Sequence, residues 1–134
     1  MPNIFHIKKY LLLAVMLSLS ACASTPDSIV KLDDIWKNYE KAMLWGEYSY
    51  VMGAHKGKPI SDLVRERLKH IKVTSYEVMN RKVVPDGTAA TQRVHIKYYN
   101  KAYAVVREIT VAQDWAYDEK SEQWFILSPF PKFK

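Results

Sequence analysis

Few side chains in this chain are of a type and spacing that could carry chemistry. Cys22 is the only cysteine, so no intramolecular disulfide can form and thiol chemistry has a single address. His55, His70 and His95 lie far apart and none belongs to a pair spaced as metal ligands, so no metal or other cofactor is expected. The four glycines do not cluster, which excludes a phosphate-cradling loop. No Ser-His-Asp or Cys-His set assembles at a usable spacing. Arg107 is different, because it interrupts an alternating apolar stretch between Val105 and Ile109. A guanidinium on an apolar face is costly unless paired. It must reach the rim, pair with a helix carboxylate such as Glu40, or hold a small anionic ligand. In the last case, Tyr98, Tyr103, Trp115 and Trp124 are the expected pocket walls.

The elements that would position these residues begin after an export-type segment. Lys8 and Lys9 form a positive region, Tyr10 to Leu19 a short apolar run, and Ser20 and Ala21 the small residues of a cleavage site. The apolar run from Tyr10 to Ala23 covers 14 residues, against roughly 20 for a membrane-spanning helix. Leu19-Ser20-Ala21-Cys22 resembles the lipobox of bacterial lipoprotein precursors. That resemblance implies diacylglycerol on the Cys22 sulfur, cleavage between Ala21 and Cys22, and acylation of the new amino group. Each buried methylene then contributes about 0.8 kcal/mol to anchoring. With Ala23 after the cysteine, the resemblance further implies the periplasmic face of a Gram-negative outer membrane, with the membrane as a partner.

The chain thus divides into a signal peptide over 1–21, a lipidated cysteine and tether over 22–28, and one domain over 29–134. Removing Lys8 and Lys9 lowers the formal net charge of +6 by two. So modest a balance suits anionic head groups but gives no support for nucleic acid. The basic stretch Arg65, Arg67, Lys69 and His70, with Lys56, Lys58 and Lys72, reads as a solvated helix face or a head-group patch.

Ile29, Leu32, Trp36, Tyr39 and Met43 recur at helical spacing, with Asp27 or Ser28 as the cap and Gly46 as the stop. A second helix or turn covers Glu47 to His55. A third runs from Asp62 to Lys69, capped by Ser61, with Leu63, Val64 and Leu68 as its apolar side. From Ile71 the pattern turns to strands. Val84-Pro85-Asp86-Gly87 marks the first hairpin, Asn100-Lys101 a two-residue second turn, and Asp118 to Glu122 a third. That second turn places Tyr98 opposite Tyr103, Ile96 opposite Val105, Val94 opposite Arg107 and Gln92 opposite Ile109. Arg93 then faces Glu108 on the outer side. Gln92, Arg107 and Gln113 are the polar intruders on an otherwise apolar inner face.

The expected fold class is α+β: N-terminal helices packed on a bent, four-stranded antiparallel meander. Together with Trp36, Tyr39 and Ala42 leading into Trp45-Gly46-Glu47-Tyr48, this pattern resembles the nuclear-transport-factor-like and ketosteroid-isomerase-like superfamily, with the cystatin-like fold as neighbour. The resemblance implies a cone-shaped sheet around a helix, with a pocket inside. Three functions fit the residues. One is a non-enzymatic binding or accessory module for a periplasmic protein or small anionic ligand. The second is an isomerase- or dehydratase-like enzyme, which needs a carboxylate or histidine inside the cone. The third is an adaptor docking a partner protein through the sheet. The residues do not decide the oligomeric state.

Overall fold

Helix α1 (Asp27–Trp45) carries the apolar stripe that organises the rest. Its buried positions are Ser28, Leu32, Trp36, Tyr39, Ala42 and Met43, in the expected three- and four-residue rhythm. A fully buried large apolar side chain contributes about 1.5–3 kcal/mol. That stripe, rather than the exposed Asp33–Lys37 pair, therefore docks the helix. Gly46 ends it in the left-handed region at φ 75°. There the Glu47 N–H donates back to the Ala42 carbonyl at 2.8 Å. The start differs from expectation. Asp27 is already helical and neither its side chain nor that of Ser28 caps the helix. The Pro26 carbonyl accepts from Ile29 N–H and Val30 N–H instead, which frees Ser28 to be buried.

The computed structural model describes residues 24–134. The export-type segment, Ala21 and Cys22 lie outside the described residues. After α1 come α2 (Tyr48–Ala54) and α3 (Asp62–Leu68), then strands β1 (Ile71–Val83), β2 (Ala89–Asn100), β3 (Val106–Asp118) and β4 (Gln123–Ile126). The strands form one antiparallel sheet in the order β1-β2-β3-β4, which establishes the α+β class. Among the described residues, no helix is long and apolar enough to cross a membrane. Ser61 accepts from Val64 N–H and so caps α3. Leu63 is 71% exposed rather than inward, and Leu68 and half-buried Val64 supply the apolar contacts of that helix with the core.

The β2–β3 register is a correction. Tyr98 faces Arg107, Ile96 faces Ile109, Val94 faces Val111 and Gln92 faces Gln113. Each β2 residue therefore meets a partner four positions further along than expected. An even shift keeps every side chain on its face, which is why the inner and outer assignments survive the wrong pairing. Asn100 sets the turn: its side-chain oxygen accepts from Ala102 N–H at 2.9 Å and its carbonyl from Ala104 N–H at 2.8 Å. The chain then turns through Ala104 at φ 53° before β3 starts. A larger gain comes from the interior, where Gln92 now lies opposite Gln113 and both buried amides are satisfied. On the outer face Arg93 meets Ala112, not Glu108. Glu108 instead bonds Lys97 at 3.6 Å and His95 at 3.1 Å.

Candidate functional site

The inner face of the sheet is filled. Trp115 stands edge-on to Tyr39 at 5.6 Å between ring centroids, and Tyr39 to Tyr76 at 6.3 Å. Gln92 Nε2 donates to Gln113 Oε1 at 2.7 Å and to the Tyr76 hydroxyl at 3.1 Å. Gln113 Nε2 donates to the same hydroxyl, and Trp115 Nε1 to Gln113 Oε1. Arg81 closes the set from outside, donating to Gln92 Oε1 at 2.9 Å while its guanidinium stacks on Trp36 at 4.4 Å. Burial raises the Tyr76 and Tyr39 hydroxyls well above the ordinary tyrosine range, so both stay neutral, and the Tyr76 oxygen accepts from both amides. Two amides, a phenol and an indole satisfying one another form a structural network.

Of the residues expected to line a pocket, only Trp115 and Trp124 meet at one concavity, beside Tyr39, with an open volume of about 360 Å³. Tyr98, Trp115 and Trp124 are 1%, 1% and 4% exposed and belong to the core. Tyr103 is 75% exposed in the β2–β3 loop, and Arg107 is exposed at the first turn of β3 away from any helix carboxylate. The longer loop is the reason. It carries Tyr103 out to solvent and moves Arg107 to the exposed sheet end, where it makes no ion pair among the described residues. Among the described residues, no three His, Cys, Asp or Glu side chains come together as a metal site.

A different concavity lies between the loop and helix 56–68 and the tail that follows β4. Its open volume is about 670 Å³, inside the range of small-molecule sites. Ile60, Val64 and Leu68 line one wall, and Leu127, Phe130 and Phe133 the other. Phe133 is pinned edge-on to Tyr98 at 4.8 Å, and its carbonyl accepts from Arg67 at 3.4 Å. The Lys134 N–H donates to the Tyr98 hydroxyl. The tail thus folds back over the end of the core. Pro129 and Pro131 stop the last strand as the sequence suggests, but they also direct Phe130 and Phe133 inward. Two phenylalanines interleaved with two prolines after a final strand, Pro129-Phe130-Pro131-Lys132-Phe133, are the signal for this return.

His55 sits at the groove's inner end. Its Nε2 lies 2.9 Å from the Tyr39 hydroxyl and its Nδ1 3.2 Å from the Ser128 carbonyl. A carbonyl can only accept, so Nδ1 carries the proton and Nε2 accepts from Tyr39. The ring also packs edge-on against Phe130 at 5.1 Å. Burial lowers the His55 pKa below 6.5, partly offset by the Ser128 carbonyl. The unfolded chain therefore takes this proton more readily than the folded one. Stability conferred by neutral His55 is complete above about pH 6.5 and is lost as pH falls from there towards the folded value. The thermal midpoint is expected to drop on acidification from pH 7, and His55→Gln to flatten that dependence. Melts of both proteins across the range check it.

At the mouth stand Lys58, Arg67, Lys132 and Lys134, all exposed, and no carboxylate side chain lines the groove. Among the described residues these four make no ion pair, whereas Lys56 pairs with Asp118 at 3.3 Å and Lys69 with Glu66 at 2.7 Å. Comparison with protein-family models, curated proteins and solved structures finds no match to this chain.

Proposed function

We propose that the chain is a lipid-anchored lipoprotein on the periplasmic face of an outer membrane, and that its folded part is a non-enzymatic binding module. The groove beneath the C-terminal tail is the binding site. The observation that carries the binding role is the contrast between two surfaces: rings fill the sheet's inner face, while the groove offers open apolar walls with unpaired cations at its mouth. An isomerase-like reaction would need room where Tyr39, Tyr76 and Trp115 interlock. Three helices ahead of a meander sheet support the proposed likeness to the nuclear-transport-factor-like superfamily.

The anchor rests on Lys8, Lys9, the short apolar run and the sole cysteine behind Leu19-Ser20-Ala21. Helix α1 begins at Asp27, so the tether ends at Pro26, two residues before the end expected for it at Ser28. At about 3.5 Å per extended residue, the folded part stays within about 17 Å of an acylated Cys22. Cys22→Ser is expected to abolish labelling by a clickable palmitate analogue and to move essentially all of the protein from the membrane to the soluble periplasmic fraction. An acylated, membrane-retained Cys22→Ser protein would refute the anchor.

A further inference from the structure

We infer that the groove takes a single-chain anionic amphiphile, acyl chain between the walls and head group among the lysines. This rests on the binding-module reading and specifies its ligand. Three observations carry it. The first is size. At roughly 30 Å³ per heavy-atom-sized group of a liquid, the open volume of about 670 Å³ holds about twenty heavy atoms, which is one long acyl chain with its head rather than two chains. The second is chemistry along the groove. Ile60, Val64, Leu68 and Phe130 supply uncharged apolar lining, and His55 beside them is already engaged on both nitrogens. An acyl chain needs no hydrogen bond there, whereas a polar ligand would have to compete with Tyr39 and the Ser128 carbonyl for the imidazole.

The third is charge. Lys58, Arg67, Lys132 and Lys134 concentrate positive charge at the mouth, where no carboxylate side chain lines the groove. Arg67 is oriented by its bond to the Phe133 carbonyl. A carboxylate or phosphate head group gains charge-assisted hydrogen bonds there, and a neutral head of equal size gains none. Leu127, at 57% exposed, is an uncovered apolar residue on the open side. It is where a bound chain would remove the most apolar surface from water.

The test uses the Cys22→Ser chain, which keeps every described residue, in calorimetric titrations below the critical micelle concentration. Laurate, myristate and palmitate should tighten by about four-fold per added methylene until the groove is filled. Lys58→Gln combined with Lys132→Gln should weaken palmitate about ten-fold and leave the corresponding alkyl alcohol unchanged. Leu127→Asp, at a position exposed enough to spare the fold, should weaken both by ten-fold or more with an unaltered melting temperature. A lysophosphatidate of equal chain length separates the two sources of negative charge: tighter binding of the carboxylate assigns a fatty acid, tighter binding of the phosphate a lysophospholipid. Affinity independent of chain length, equal binding of alcohol and acid, or binding of an acidic peptide but not of palmitate would overturn the inference. Binding of the acidic peptide alone would overturn the ligand while leaving the groove a binding site, and binding of none of these probes would remove the binding-module reading as well, so the two failures are distinguishable.

Discussion

Trp115→Ala is expected to destabilise the protein by about 3–5 kcal/mol, the range for deleting a buried tryptophan. Trp115 is 1% exposed, stands edge-on to Tyr39 and donates its indole N–H to Gln113 Oε1 at 3.2 Å. Truncation leaves a cavity at the centre of the interlocked rings and removes one of the two donors to that amide oxygen. Domains of this size are stable by only about 5–15 kcal/mol. The thermal midpoint should therefore fall by about 12–25 °C. Urea titration checks it: the midpoint should move with an unchanged slope, showing lost stability rather than a change in the surface exposed. Trp115→Phe separates the two contributions, keeping most of the ring while stripping the donor. Its cost should be nearer 1–2 kcal/mol, because Gln113 Oε1 still accepts from Gln92.

The second large effect lies in the first hairpin. Gly87 is buried although it belongs to a turn, and its φ is 74°. A Cβ added there would stand 2.3 Å from Ser28 Oγ and 3.1 Å from Pro26 Cβ. Gly87→Ala should cost about 1–2 kcal/mol for the left-handed backbone and a further 1–3 kcal/mol for the overlap. Only the second part depends on Ser28. Combining Gly87→Ala with Ser28→Ala should recover at least about 1 kcal/mol relative to the sum of the single changes. A double-mutant cycle measured by denaturant unfolding gives that coupling directly, and additive effects would show that the hairpin and the helix start do not press on one another.

Helix α1 is readable from sequence because its buried positions recur within one short window and Gly46 marks the end. The hairpin at Val84–Gly87 is readable for the same reason: turn chemistry is local. The β2–β3 pairing is not. Asn100-Lys101 looks sufficient as a turn until Gln92 and Gln113 are allowed to find each other, and that pairing belongs to residues distant in sequence. The expected pocket of Arg107, Tyr98, Tyr103, Trp115 and Trp124 dissolves with the register, since its members shared a face only by the alternation of side chains and not a place along the sheet. The groove is hidden for a related reason. One wall comes from α3 and the other from the tail, and each alone reads as a basic helix or a proline-rich end. What the composition does disclose is the abundance of rings. It cannot disclose whether they surround space or fill it.

The start of α1 is held twice from distant parts of the chain: Gly87 packs against Ser28 Oγ, and Trp124 Nε1 donates to the Ser28 carbonyl at 2.8 Å. Seen mechanically, this is a clasp at the point where force enters. Tension on the N-terminal segment that frees the Pro26 carbonyl meets Ser28 next, before it can peel the helix further. There it passes into the β1–β2 hairpin and β4, so that it is shared between the helix and the sheet. A domain loaded this way resists unravelling from its N-terminal side, and the Trp124 indole is the first bond to the sheet that a steady pull would have to break.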